Sequence, residues 1–145
     1  MYNIITEKDR LAKPCVEISD VQQGEALGKT LLGILDSHKT GVGLAANQVG
    51  IDRRVCVVKV VKPIILVNPK IAGKFGKINF KEGCLSFPGD YIITERYADI
   101  AVKADNHPNI IYFSTKENAL ECVCVQHEID HLDGITMFDR QAKER

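Results

Sequence analysis

The segment His127-Glu128-Ile129-Asp130-His131 constrains this chain more than any other, because it places two histidines four residues apart. On a helix such side chains lie one turn above each other, so both imidazoles can reach one metal ion. The glutamate between them stands where a base is needed to exchange protons with water that the metal has acidified. The segment therefore predicts a helix with a hydrolytic metal site, in which His127 and His131 are ligands and Glu128 is the general base.

A third protein ligand is needed, because open catalytic metal sites usually combine three protein ligands with water. Downstream of His131 the sequence contains no histidine, and its only glutamate is Glu144. Upstream, Cys84 follows a glycine in the segment Glu82-Gly83-Cys84-Leu85-Ser86, where the chain can turn tightly and expose the thiol. A lone cysteine is more often packed in a core. The missing ligand nevertheless makes Cys84 the candidate.

Composition excludes several classes of partner and compartment. Nineteen basic residues balance nineteen acidic ones, so no overall field attracts nucleic acid or an anionic membrane. No apolar stretch reaches the length of a signal peptide or a membrane span, so we expect the protein to stay where it is made. Five cysteines are an odd number, which argues against a disulfide framework. The length of 145 residues predicts a single domain over residues 1–145.

The periodicity of apolar residues predicts two helices with strands between them. The first helix covers residues 21 to about 38. The second begins at Ser114, where Ser114 and Glu117 fit a capping box, and ends near Leu132 before Gly134. Its predicted buried face consists of Leu120, Cys124, His127 and His131. Mostly antiparallel strands are predicted for residues 54–61, 63–67, 91–94, 99–103 and 109–113, which gives an α+β fold.

A third segment of interest is Gly41-Val42-Gly43-Leu44-Ala45-Ala46-Asn47-Gln48, between the first helix and the first strand. Its small residues would let a substrate backbone approach closely, and Gln48 offers an amide donor. By composition alone, such a segment is more often a tight turn than a binding site. The segment alone therefore leaves both interpretations open.

Together, the three segments closely resemble the peptide deformylase family. The matching motifs are Gly41-x-Gly43-Leu44-Ala45-Ala46-x-Gln48, Glu82-Gly83-Cys84-Leu85-Ser86 and Gln126-His127-Glu128-x-Asp130-His131. The resemblance runs from about Ile18 to Asp139, and its second motif contains the cysteine that the metal site requires. It implies an α+β fold in which antiparallel or mixed strands surround a central metal-binding helix.

The resemblance also implies an activity, a substrate and a metal. The activity would be hydrolysis of the formyl group from N-formylmethionyl nascent peptides, with release of formate and with the ribosome nearby. Glu128 would shuttle the proton, and the Leu85 backbone N–H and the Gln48 side chain would meet the developing oxyanion. The implied ion is one ferrous iron, for which zinc, nickel or cobalt can substitute. The implied substrate-binding residues are Val42, Gly43, Phe80, Gly83, Leu120, Val123 and Cys124.

Three departures from common bacterial members accompany this resemblance. Asn47 stands where many relatives have proline or threonine, the link between Val61 and Ile64 is shorter than usual, and the long C-terminal helix is missing. None of them removes a proposed ligand or catalytic group. The pattern resembles shortened variants, including viral and organellar ones. We expect a cytoplasmic protein of a bacterium or of a virus-infected host cell, and an organellar origin stays open.

Three other interpretations remain open from the sequence. A small metallopeptidase would share Glu128 and the metal but would not need Cys84. A non-enzymatic domain could hold a structural metal if Cys122 or Cys124 supplied a fourth ligand, because structural sites are closed. Finally, Cys84 could be a covalent nucleophile with a histidine base, in which case activity would survive chelation.

Overall fold

The computed structural model describes residues 2–143, so Glu144, the downstream carboxylate considered above, lies outside the described part. The elements are α1 (Lys8–Leu11), α2 (Val21–Asp36), β1 (Gly43–Ala45), a 3-10 helix (Ala46–Val49), β2 (Val55–Lys59), β3 (Pro63–Val67), β4 (Lys70–Cys84), β5 (Phe87–Lys103), β6 (Ile111–Ser114), α3 (Thr115–Leu132) and a second 3-10 helix (Met137–Arg140).

Two three-stranded antiparallel sheets form the body of the protein, with strand orders β1-β2-β3 and β4-β5-β6. Helix α2 covers the first sheet through a core cluster that includes Leu31, Leu35 and Val67. Helix α3 packs against β1 and β2 of one sheet and against β5 and β6 of the other. The predicted α+β fold, with antiparallel strands around a central helix, is confirmed. No helix within residues 2–143 is long and apolar enough to cross a membrane.

Helix α3 is unusual because every residue from Cys122 to Leu132 is buried, although five of them are polar or charged. A buried polar side chain is costly unless it has a hydrogen-bond partner or a ligand. The burial of this stretch therefore marks it as the place where the site lies.

The ends of α3 differ in how well the sequence predicted them. Ser114 accepts a hydrogen bond from the Lys116 N–H at 3.2 Å, but Asn118 interrupts the helix with φ −156° and ψ 102°. The Asn118 Oδ1 accepts from the Glu121 N–H at 2.9 Å, so Asn118 caps the continuous part of the helix. At the other end the prediction is confirmed, since Gly134 has a left-handed φ of 76° directly after the helix.

The strand predictions were incomplete. The segments predicted as two strands, 91–94 and 99–103, are parts of the single strand β5, and the strand at 109–113 is observed at Ile111–Ser114. Strand β4 was missed because its lysines, glycines and exposed positions give no regular hydrophobic pattern. It is nevertheless the partner of β5 along most of its length.

Candidate metal centre

The structure brings Cys84, His127 and His131 together at the point where β4 ends beside α3. One donor atom from each residue lies within 4.8 Å of the other two. The His131 Nε2 is 3.2 Å from the His127 Nε2 and 3.3 Å from the Cys84 Sγ. Donors bound to one tetrahedral ion at about 2.0–2.3 Å would lie roughly 3.3–3.8 Å apart. The two distances to His131 are close to this range, and the third pair, Cys84 and His127, lies within 4.8 Å, so the three side chains could hold one ion if this pair moved somewhat closer together.

The chemistry of these donors also fits a transition metal. One thiolate and two imidazoles suit zinc, iron, nickel and cobalt. Burial, together with the neighbouring charges of His127 and Arg96, lowers the pKa of His131 well below its usual value. A low pKa keeps this ring neutral, which is the state that binds a metal.

Glu128 lies beside the donor group and is 3% exposed. Its Oε1 has no hydrogen-bond partner among residues 2–143, and its Oε2 is 3.9 Å from the Cys124 Sγ. Burial raises the pKa of Glu128 to about 7. A Cβ on Gly43 would be 2.6 Å from both the Glu128 Oε2 and the Cys124 Sγ, so only glycine lets β1 pass this close. A buried carboxylate with one oxygen left without a hydrogen-bond partner is typical of a functional group.

Gln48 is fixed so that its amide nitrogen points toward the donor group. The Ala45 backbone N–H donates to the Gln48 Oε1 at 2.9 Å, which leaves the Nε2 3.1 Å from the Ser86 Oγ and 3.6 Å from the Cys84 Sγ. Gln48 itself is 1% exposed. The segment that composition left open between a turn and a site therefore contributes an oriented amide donor and an extended strand, β1.

A cleft of about 350 Å³ opens in front of these groups. His131 is fully buried behind it, and Leu120, predicted to lie on a buried face, is 41% exposed. The burial predicted for Leu120 was wrong, because this residue lies near the start of the helix on the wall of the cleft, where the substrate side chain is expected to bind. The site residues predicted from sequence that line the cleft are Val42, Gly43, Gln48, Phe80, Gly83, Cys84, Leu85, Leu120, Val123, Cys124, His127 and Glu128.

Behind His127 lies a buried ionic network that sequence reasoning did not find. The His127 Nδ1 is 2.8 Å from the Glu82 Oε1, and Arg96 binds both oxygens of Glu82 at 2.6 and 2.8 Å. The Thr94 hydroxyl also donates to Glu82. Burial would raise the pKa of Glu82, but hydrogen bonds from Arg96 and His127 outweigh it and lower that pKa to about 2. Glu82 therefore remains a carboxylate that orients the His127 ring.

The cysteines proposed for a closed structural site do not join the donor group. Cys122 directs its thiol to the Ala98 carbonyl oxygen at 3.7 Å, and Cys124 lies beside Glu128. Within the described part of the chain, the group of metal-binding side chains consists of three residues. Three ligands match an open catalytic site better than a closed structural one.

Comparisons with known proteins identify the family of this chain. The polypeptide deformylase family model matches residues 1–145. Peptide deformylase of Hydrogenovibrio crunogenus is 39% identical over 134 residues, which cover 89% of this chain and 76% of that protein. The crystal structure of peptide deformylase from Thermotoga maritima superposes with a TM-score of 0.83 at 32% identity and covers 99% of both chains. A probable peptide deformylase from Synechococcus phage S-SSM7 gives a TM-score of 0.84 at 34% identity, covering 97% of this chain and 99% of the phage chain.

The three-donor group, the buried glutamate and the cleft therefore lie in a chain whose sequence and fold are similar to those of peptide deformylases. The chain belongs to the polypeptide deformylase family, metal-dependent hydrolases that remove the formyl group from nascent peptides.

Proposed function

We propose that the chain hydrolyses the formyl amide of N-formylmethionyl peptides with Cys84, His127 and His131 as the ligands of one divalent metal ion. The observation that carries this proposal is the convergence of three donor atoms within 4.8 Å beside the buried carboxylate of Glu128, whose Oε1 has no hydrogen-bond partner among residues 2–143. When bound by these residues, a divalent ion would acidify water and polarise the formyl oxygen.

Glu128 is proposed as the group that moves the proton. Its pKa of about 7, raised by burial, is near the value at which a carboxylate can accept a proton and return it at neutral pH. Glu128 would take the proton from the attacking water and deliver it to the departing amine nitrogen. This transfer leaves formate and a free amino terminus.

Two donors are proposed to stabilise the oxygen that becomes negative on attack. The Gln48 Nε2 is held in one orientation by the bond from Ala45, and the Leu85 backbone follows Cys84 directly. Donors oriented in advance stabilise a developing oxyanion because they need not reorganise during the reaction.

The peptide is proposed to bind along β1 as an added strand. The order β1-β2-β3 makes β1 an edge strand, and Val42 and Gly43 line the cleft. An edge strand can pair with an extended peptide through its backbone. The methionine side chain would then enter the part of the cleft formed by Phe80, Leu120, Val123 and Cys124, with Gly83 also in contact with the substrate.

We further propose ferrous iron as the native ion, as the resemblance to the deformylase family implies, with zinc, nickel or cobalt as substitutes, since a thiolate and two imidazoles do not by themselves choose among the four. Since nascent formylated peptides are made at ribosomes, the proposed place of action is beside the ribosome in the cytoplasm or an organelle. Residues 1–145 are proposed to form one domain, because α3 packs against both sheets.

The proposed function is tested by comparing formylated with acetylated methionyl peptides. We expect formate release from the formyl peptide and far slower turnover of the acetyl peptide. Glu128→Gln should lower kcat by about 10²- to 10⁴-fold, the usual contribution of general acid–base catalysis, and retain the metal. Glu117→Gln, an exposed glutamate on the same helix, is the matched control. Equal turnover of both peptides, or full activity of Glu128→Gln, would contradict the proposal.

A further inference from the structure

We propose that Arg140 is a positioning residue for His127, which it reaches through a chain of charged side chains that begins at the protein surface. This inference rests on the proposed role of His127 as a metal ligand. Arg140 belongs to the second 3-10 helix, Met137–Arg140, and does not line the cleft.

The contacts form one continuous path inward from Arg140. Its Nε and Nη2 donate to the two oxygens of Asp130, each at 3.0 Å. Asp130 accepts from the Arg96 Nη1 at 2.5 Å through its Oδ2. Arg96 binds both oxygens of Glu82, whose Oε1 is 2.8 Å from the His127 Nδ1. Four side chains thus connect the surface to His127, the proposed ligand.

The paired hydrogen bonds along this path also fix how the side chains are oriented relative to one another. A guanidinium that binds both oxygens of a carboxylate fixes the plane of that carboxylate. This pairing occurs twice, between Arg140 and Asp130 and between Arg96 and Glu82. Arg140 therefore fixes the orientation of the Asp130 carboxylate that Arg96 contacts. Arg96 in turn fixes the orientation of the Glu82 carboxylate, whose Oε1 faces His127.

Burial distinguishes Arg140 from the other members of the path. The side chains of Arg96, Glu82, His127 and Asp130 are between 2% and 10% exposed, whereas that of Arg140 is 43% exposed. An isolated ion pair with one exposed member usually contributes little. Here the exposed Arg140 binds the Asp130 carboxylate, which also pairs with the buried Arg96. Loss of Arg140 therefore affects the buried charges as well.

The backbone around Arg140 is tied to the strand that holds the network. Gln141 forms a β-bridge with Thr94, and the Ala142 N–H donates to the Ile93 carbonyl oxygen at 2.8 Å. Thr94 is also the residue whose hydroxyl binds Glu82. The base of the Arg140 side chain is therefore held in place relative to the network, as a positioning role requires.

The test measures metal affinity by competition with a chelator on the metal-loaded full chain. Arg140→Gln should weaken metal binding by about three- to tenfold, below or at the lower end of the range for a direct outer-shell partner. Arg140→Lys, which keeps the charge but not the paired bonds, should lie between Arg140→Gln and the native chain. The matched control is Lys77→Gln. Lys77 and Arg140 both line a second cavity of about 260 Å³ beside the network, but within residues 2–143 Lys77 forms its ion pair with the exposed Glu95 and not with the network.

A double variant separates positioning from a general structural effect. Glu82→Gln alone should weaken metal binding by about 10- to 100-fold, and Arg140→Gln should add no further weakening once that link is broken. Unchanged affinity in Arg140→Gln, an equal loss in Lys77→Gln, or additive losses in the double variant would overturn the inference and leave the proposed function standing. A native chain that bound no metal would instead overturn the proposed function and this inference with it.

Discussion

His127 and His131 are one turn apart on helix α3, but the protein supports the two rings by different means. The His127 Nδ1 faces the Glu82 carboxylate at 2.8 Å, and charged partners extend from there to the surface. The His131 Nδ1 has no hydrogen-bond partner within residues 2–143. His131 is instead fully buried, and its backbone carbonyl accepts from the Asn47 Nδ2 at 2.6 Å.

The difference shows that one metal site can combine an electrostatic support with a packing support. Burial lowers the pKa of both rings, but the Glu128 carboxylate and its neighbours reverse the shift at His127 and raise its pKa well above the usual value. Without a metal ion, the negative groups around His127, which are Glu128, Cys84 and Glu82, favour a proton on that ring, whereas the surroundings of His131 favour a neutral ring. A bound ion would have to displace the proton from His127 but not from His131. Changes to the two supports should therefore have unequal effects.

Removal of the charged support should have the largest effect. Glu82→Ala would leave the buried guanidinium of Arg96 without its main partner, and breaking a buried pair in this way costs about 3–5 kcal/mol of unfolding free energy. Denaturant unfolding measures the loss. Glu95→Ala, which breaks only the exposed pair with Lys77, should cost at most about 1 kcal/mol. Equal losses in the two variants would show that burial does not set the importance of Glu82.

An intermediate effect is expected two side chains farther from the His127 ring, at Asp130. Asp130→Asn would remove the negative charge between Arg96 and Arg140 but keep an oxygen that accepts a hydrogen bond. The expected loss of unfolding free energy, measured by denaturant unfolding, is about 2–3 kcal/mol, the range for leaving a buried charged group poorly paired. Asp36→Asn, which affects the exposed pair with Lys59, is the control. A loss of unfolding free energy as small as that of Asp36→Asn would contradict the proposed path from Arg140 to His127.

The smallest effect is expected on the side of His131. Asn47→Ala removes one hydrogen bond to a backbone carbonyl, and the expected cost is about 1 kcal/mol in unfolding free energy. The His131 carbonyl oxygen also accepts from the Gly134 N–H, so it keeps one partner. Asn79→Ala, at an exposed position in β4, serves as control. A loss larger than that of Glu82→Ala would reverse the comparison.

The sequence predicted the parts of this site that depend on local spacing. The helical repeat placed both histidines and Glu128 on α3, and the glycine before Cys84 marked an exposed thiol. The resemblance to a family added Gln48 and Leu85. The break at Asn118 was not predicted, although an asparagine three residues before a glutamate is a capping signal in itself.

The sequence did not predict the charged network behind His127, because the network depends on the register between β4 and β5. Glu82 and Arg96 approach each other only because β4 and β5 form a long antiparallel pair, in which Phe80 is opposite Thr94. Strand β4 has few buried apolar positions, so no hydrophobic alternation indicated its length. A sequence shows that Arg96 and Asp130 are charged, and the structure shows that they face each other.

The central claim is that Cys84, His127 and His131 hold the metal on which deformylation depends. Its most direct test is an anaerobic preparation with measured metal content, assayed for formate release from a formyl-methionyl peptide before and after chelation. Anaerobic handling protects the ferrous ion and the thiolate from oxidation. We predict about one divalent metal ion per chain, loss of formate release on chelation, and recovery on return of the metal. Formate release that continued at the same rate in the metal-free chain would contradict the account.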